Sequence, residues 1–272
     1  MEASRAVEIA RGEGVRSVAR AAQGRLTREV AERAPRATFE AGVRYKYIKN
    51  LVQWDPESVA DPLKSMWIDP NDVSWVIPKP RQMSYQAGPG YIQGGNWDLA
   101  KESRVTEHGI YVGLVERFVD GKDWEETEYV ARAKRGLEKD GEYWNYTDLD
   151  HFLEDRTTYA ENLYRSLEED GYRTADERDA SEVDKNRHED TYYAKVLEPA
   201  VAIGRDGEIL FLDGFHRLAI ARLLDIDIAV SVFARHSRWQ RVRQRVTQSD
   251  RSEIRNKLTI HPDIAPLITA SS

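Results

Sequence analysis

The sequence predicts a mixed α/β fold, and three observations predict it. The last third alternates short apolar runs with turn signals: extended segments around 195–203 and 209–212, a helical segment at 215–224 and another extended run at 226–233. Residues 149–167 place Leu149, Phe152, Leu153, Ala160, Leu163, Tyr164 and Leu167 on the three- and four-residue spacing of one apolar helix face. Apolar residues make up 40% of the 272-residue chain, enough for a core and too many for wholesale disorder.

In chain order, residues 1–36 form a distinct arm with eight Arg and five Glu among many alanines. Val7, Ile9, Val15, Val18, Leu26 and Val30 are its larger apolar residues, Gly12, Gly14 and Gly24 interrupt it, and Pro35 ends it. The pattern reads as one or two short amphipathic helices of net positive charge. Such an arm suits packing on the body or a basic surface for anionic lipid or a partner, although no Trp or Phe anchors a membrane face. Residues 37–245 are expected to form the main domain, and 246–272 a C-terminal tail.

Within the domain, Lys64–Pro70 reads as a strand closing in a proline turn, and Asp72–Ile77 begins another element. Residues 78–96 hold three Pro and two Gly-rich stretches and read as one long loop, more often functional than idle. A helical insertion is expected over about 99–190, with Thr147 and Asp150 resembling a capping box and Gly171 ending the strongest helix. Residues 173–190 are almost entirely charged or polar and read as an exposed connection or a solvated helix. Arg205–Glu208 is a hairpin turn between strands.

Composition narrows function. With no cysteine, disulfides, thiolate nucleophiles, iron–sulfur clusters and cysteine zinc sites are excluded. A net charge of −7, from 40 Lys and Arg against 47 Asp and Glu, disfavours general nucleic-acid binding unless the basic residues are segregated. No apolar stretch approaches the roughly 18 residues of a membrane span. The N-terminus lacks an apolar leader, so a cytoplasmic location is expected, with the arm as a peripheral membrane contact.

The most informative segment is Phe211-Leu212-Asp213-Gly214-Phe215-His216-Arg217-Leu218-Ala219-Ile220-Ala221. It sets a Gly between a buried strand and a helix whose first turn carries His216 and Arg217. Unpaired N–H groups and the positive end of the helix dipole make that junction an anion site, phosphate above all. The residues equally allow Asp213 to cap the helix while His216 and Arg217 pair with nearby carboxylates.

This segment, after a hairpin and before a strand, resembles the signature of the ParB/sulfiredoxin-like superfamily, whose members carry Gly-x-x-Arg or Gly-x-His-Arg at the same junction. Met66-Trp67-Ile68-Asp69-Pro70-Asn71-Asp72-Val73 resembles the opening strand of that fold. The resemblance spans residues 64–98 and 190–236. It implies a mixed sheet and a nucleotide-phosphate site, with CTP the ligand in ParB and ATP or ADP in other branches. It makes Asp213, Gly214, Phe215, His216 and Arg217 nucleotide-binding candidates, with Asp213 a helper or metal-side carboxylate. Sulfiredoxin requires a Cys where Phe215 stands, so sulfinic-acid reduction is excluded. ParB proteins carry Glu-Arg where this chain has Phe215-His216, and the residues after His236 are too few for their helix-turn-helix domain, so chromosome partition is not expected. The free-serine kinase branch is closest in motif, which implies ATP, Mg²⁺ and a small hydroxylated acceptor.

A phosphotransferase needs a carboxylate to take the acceptor's proton. Asp98 follows Gly94-Gly95-Asn96-Trp97, a loop suited to substrate contact, and is the first candidate base; Glu107 is the reserve. Asp98 is equally an N-cap. The insertion and its Trp- and Tyr-rich loops are expected on the acceptor side. Five Arg between Ala234 and Arg245 form a basic patch that suits nucleic acid, an acidic partner or internal ion pairs. Arg235 and His236, read as lying at a strand end beside the junction, join the nucleotide-binding candidates. A non-catalytic nucleotide- or nucleic-acid-binding adaptor is the alternative function.

Overall fold

The computed structural model describes residues 35–80, 83, 87–175, 177, 197–249 and 261–269. Residues 1–34 of the arm expected at 1–36, and most of the polar stretch at 173–190, lie outside the described residues. The first helix, α1 (Pro35–Gln53), begins at the proline expected to end the arm; a proline is well placed in a helix's first turn, where its missing N–H has no intrahelical partner.

Strands β1 (Met66–Ile68), β2 (Val73–Val76), β3 (Tyr91–Gln93) and β4 (Ser103–Arg104) precede three helices: α2 (Gly109–Phe118), α3 (Glu128–Asp140) and α4 (Leu149–Asp170). Then come β5 (Ala200–Ile203), β6 (Ile209–Asp213), α5 (Phe215–Leu224), β7 (Ile228–His236), α6 (Ser237–Gln248) and α7 (Ala265–Thr269). The seven strands form one mixed sheet ordered β1-β7-β5-β6-β2-β4, with β3 beside the second half of β7. The α/β class is thus the one expected.

Strand alternation distributes the core. Ile209 and Phe211 join Val201, Ile203, Val230 and Val232 in a cluster reaching α2 to α5, whereas Leu210 and Leu212 join Ala202, Phe233 and, from α1, Phe39 and Val43. Helices therefore cover both faces. Gly113 sets the spacing of α2 and α3, because a Cβ there would stand 2.3 Å from the Tyr129 backbone nitrogen.

Four local readings need correction. The N-cap of α4 is Asp148, whose side chain accepts from the His151 N–H at 2.9 Å, not Thr147. The long loop at 78–96 contains β3, too short to show an alternation. Strand β7 extends through Arg235 and His236, nine residues buried throughout. Part of the expected tail is core: Ile264, Leu267 and Ile268 are buried, and Asp263 accepts hydrogen bonds from Arg235 and Trp239.

Candidate functional site

β2 and β6 run parallel, and a cleft of about 390 Å³ opens where they end, lined by Val76, Leu212 and Asp213. The carboxyl ends of parallel strands are where open α/β sheets hold ligands. Gly214 makes the junction possible. Its φ of +88° is costly for other residues, and a Cβ would lie 3.0 Å from the Pro199 Cα. β6 thus ends and α5 begins across a single residue, as expected. Asp213 accepts from the Gly214 N–H at 2.7 Å and forms an ion pair with Lys79.

Phe215 and His216, in the first turn of α5, line the cleft. Phe215 stacks on His108, centroid to centroid 4.2 Å. His108 caps α2, its Nδ1 accepting from the Ile110 N–H at 3.3 Å. Burial, helped by the charge of Arg132, lowers its pKa to about 4, so the ring is neutral at pH 7. His216 is buried, with Nε2 2.9 Å from the Tyr129 hydroxyl, whose own pKa burial pushes up.

The opposite wall comes from the insertion. Arg132 on α3, Arg156 on α4 and Trp144, Asn145 and Tyr146 between those helices line the same cleft. Arg132 donates from Nε to the Tyr143 hydroxyl at 3.1 Å, and the Arg156 guanidinium lies 5.3 Å from the Trp144 ring centroid. Sequence reasoning placed the insertion and its aromatic-rich loops on the acceptor side and singled out none of these residues. The available signal was Tyr143-Trp144-Asn145-Tyr146, aromatics around an Asn turn between two helical periods. Nothing local marks Arg132 or Arg156.

Arg217 is a correction. It turns away from the cleft, donating to Glu198 at 3.2 Å and to the Leu197 carbonyl at 3.4 Å. Glu198 is 2% exposed and also accepts from the Tyr172 hydroxyl at 2.5 Å and the Ala175 N–H. This is the carboxylate pairing that the residues equally allowed, and it removes Arg217 from the phosphate set.

A second group is elsewhere. β7 runs parallel to β5 and β5 antiparallel to β6, so Arg235 is level with Ile203 and Ile209. From Ile209 to Asp213 is four residues, about 13 Å of strand. Arg235 is spent on Asp263, donating from Nε at 3.0 Å, and Arg243 donates to the Asp263 carbonyl. His236 is the N-cap of α6: Nδ1 accepts from the Arg238 N–H at 3.1 Å and Nε2–H donates to the Gly95 carbonyl at 3.0 Å. Neither residue reaches the junction. Of the five Arg in the basic patch, Arg235 and Arg243 are buried and paired internally, while Arg238, Arg241 and Arg245 are exposed.

The loop carrying Asp98 belongs to this far group. Arg205, in the turn between β5 and β6, donates to Asp98 from Nε and from a terminal nitrogen, each at 2.8 Å, and from its backbone N–H at 2.9 Å. The same guanidinium reaches the Gly95 carbonyl and the Asn96 side chain at 3.0 Å. Gly94 faces Ser237, and the Trp97 indole N–H donates to the Gln93 carbonyl. Burial alone would raise the Asp98 pKa, but the Arg205 hydrogen bonds and charge outweigh it and lower the pKa to about 2. A carboxylate that acidic is a weak base at pH 7. Asp98 therefore holds the loop rather than serving the cleft. Glu107 is exposed, one residue before His108 at the cleft wall.

Comparison with protein-family models, curated proteins and solved structures finds no match. No helix among the described residues is long and apolar enough to cross a membrane.

Proposed function

We propose that the cleft at the end of β6 binds a nucleoside di- or triphosphate, ATP first, and that the chain transfers a phosphoryl group to a small hydroxylated acceptor. One observation carries this reading. The N-terminal end of α5 meets Arg132 and Arg156 in one cleft whose lining also includes the aromatic rings of Trp144, Tyr146 and Phe211. A helix N-terminus favours anions through its N–H groups and dipole, and Arg favours phosphate through its planar array of donors. The strand–Gly–helix junction agrees with the resemblance to the ParB/sulfiredoxin-like superfamily and its kinase branch.

Asp213 replaces Asp98 as the proton acceptor in this reading. The acceptor oxygen bonds to the γ-phosphorus, the bridge from that phosphorus to the β-phosphate breaks, the hydroxyl proton passes to Asp213 and ADP leaves. Among the described residues no group of three His, Cys, Asp or Glu could hold a metal, so Mg²⁺ would arrive with the phosphates, Asp213 being the carboxylate beside them.

The test is a thermal-shift panel of ATP, ADP, CTP and GTP with and without Mg²⁺, followed by product detection with hydroxylated acceptors. Selective binding to the folded state adds about 2.7 kcal/mol at 100 times Kd. A panel in which no nucleotide raises the Tm overturns the reading. Asp213→Asn is expected to abolish transfer and leave nucleotide affinity within a few-fold. A second reading, an adaptor that binds nucleotide without consuming it, draws on the ion pair of Asp213 with Lys79, which already occupies the cleft carboxylate. Stabilisation by ATP without turnover selects it.

A further inference from the structure

Trp144 sits where its backbone should reject it. Tyr143 and Tyr146 exchange both backbone hydrogen bonds, at 2.8 and 2.9 Å, so Trp144 and Asn145 are the centre of a two-residue turn. Their φ angles are +49° and +66°. Turns of this kind, with both central residues left-handed, favour Asn-Gly or Gly-Gly. Asn145 is at home there, but a bulky residue at positive φ is an outlier, and outliers of this kind collect at ligand clamps.

Burial does not account for the tryptophan, because it remains 38% exposed. Tyr143 backs the indole at 4.8 Å with the planes 20° apart, and His216 meets it edge-on at 5.7 Å. The ring is thus set firmly as a wall of the cleft into which Asp213 and the first turn of α5 also face.

We infer that Trp144 is the platform on which the nucleobase of the bound nucleotide stacks, the phosphates lying toward Arg132, Arg156 and the start of α5. The inference rests on the nucleotide reading proposed above. It assigns the two halves of the ligand to different parts of the cleft: a sequence-tolerant aromatic face for the base and fixed cations for the charge. Stacking accepts any base, since every base has a π-face. The site should therefore discriminate weakly among bases and strongly against phosphate compounds that lack one.

Calorimetry with ADP and with pyrophosphate separates the possibilities. The wild-type chain is expected to bind ADP at least tenfold more tightly than pyrophosphate. Trp144→Asn suits the backbone, so it should fold with an unchanged or raised Tm. It should lose that preference while its pyrophosphate affinity stays within two-fold. Trp144→Tyr, which keeps a ring, should restore part of the preference and guards against misfolding of the first variant. An unchanged ADP preference in Trp144→Asn overturns the platform and leaves the nucleotide reading standing. Equal loss of both ligands overturns it in favour of a purely structural role. Wild-type protein that binds neither ligand overturns the nucleotide reading and the platform together.

Discussion

Arg217 shows how one side chain's direction changes the reading of a motif. A guanidinium in the first turn of a helix can reach forward to a ligand or back to its own protein. Here it reaches back to Glu198, which is nearly inaccessible and is also held by Tyr172 and Ala175. Removing one member of a buried pair leaves the other's charge unmatched, at a cost of about 3–5 kcal/mol. Arg217→Ala should lower stability by that order in urea denaturation, with nucleotide affinity per folded molecule unchanged. A specific affinity loss with stability intact would return Arg217 to the ligand. At the cleft itself, His216 bonds to Tyr129 and His108 caps α2, so both imidazoles position the wall.

At the scale of elements, the cleft depends on how closely α2, α3 and α4 pack around α5. Gly113 permits the approach of α2 to α3, and Tyr129, opposite it, carries the hydroxyl that bonds to His216. Gly113→Ala would force a methyl to within 2.4 Å of the Tyr129 Cβ unless the helices part. Such overpacking typically costs about 1–3 kcal/mol. The variant is expected to unfold at lower urea and to bind cleft ligands less tightly, because Tyr129 moves with α3. A neutral Gly113→Ala in both measurements would mean that α2 and α3 do not set the cleft's width.

Across the whole molecule, buried titratable groups predict an acid transition in two steps. Burial lowers the His108 pKa from 6.5 to about 4, and burial also lowers that of His261. Between those values the unfolded chain binds more protons, so this contribution is complete above pH 6.5 and lost as pH falls toward 4. Asp98 and Asp263 are lowered from 3.8 to about 2, despite burial, by Arg205 and by Arg235 with Arg243 respectively. Their contribution is complete above pH 3.8 and lost as pH falls toward 2. Tm measured against pH should fall over both windows. His108→Asn, which preserves the cap, should shrink the upper step and leave the lower one. An unaltered upper step would assign it to other groups.

What the sequence determined by itself was local. The Asp-Gly junction, the strand before it, the helix over 215–224 and the end of the long helix at Gly171 follow from short-range rules of backbone freedom, periodicity and capping. Those rules act within a few residues and are legible in one. The apolar runs also foretold the mixed α/β class, because buried strands and an amphipathic helix must cover one another. Tertiary structure alone decided which strands are neighbours, and with that the membership of the cleft. The parallel pairing of β5 with β7 carries Arg235 and His236 to the far end of the sheet, and Arg205 captures Asp98 there. Packing of the insertion against α5 brings Arg132, Trp144 and Arg156 to Gly214 from 58 to 82 residues earlier in the chain. Period-two alternation says which residues share a face but not which strand lies beside them. Long-range register is set by the sum of many packing contacts, so no single residue in the sequence announces it.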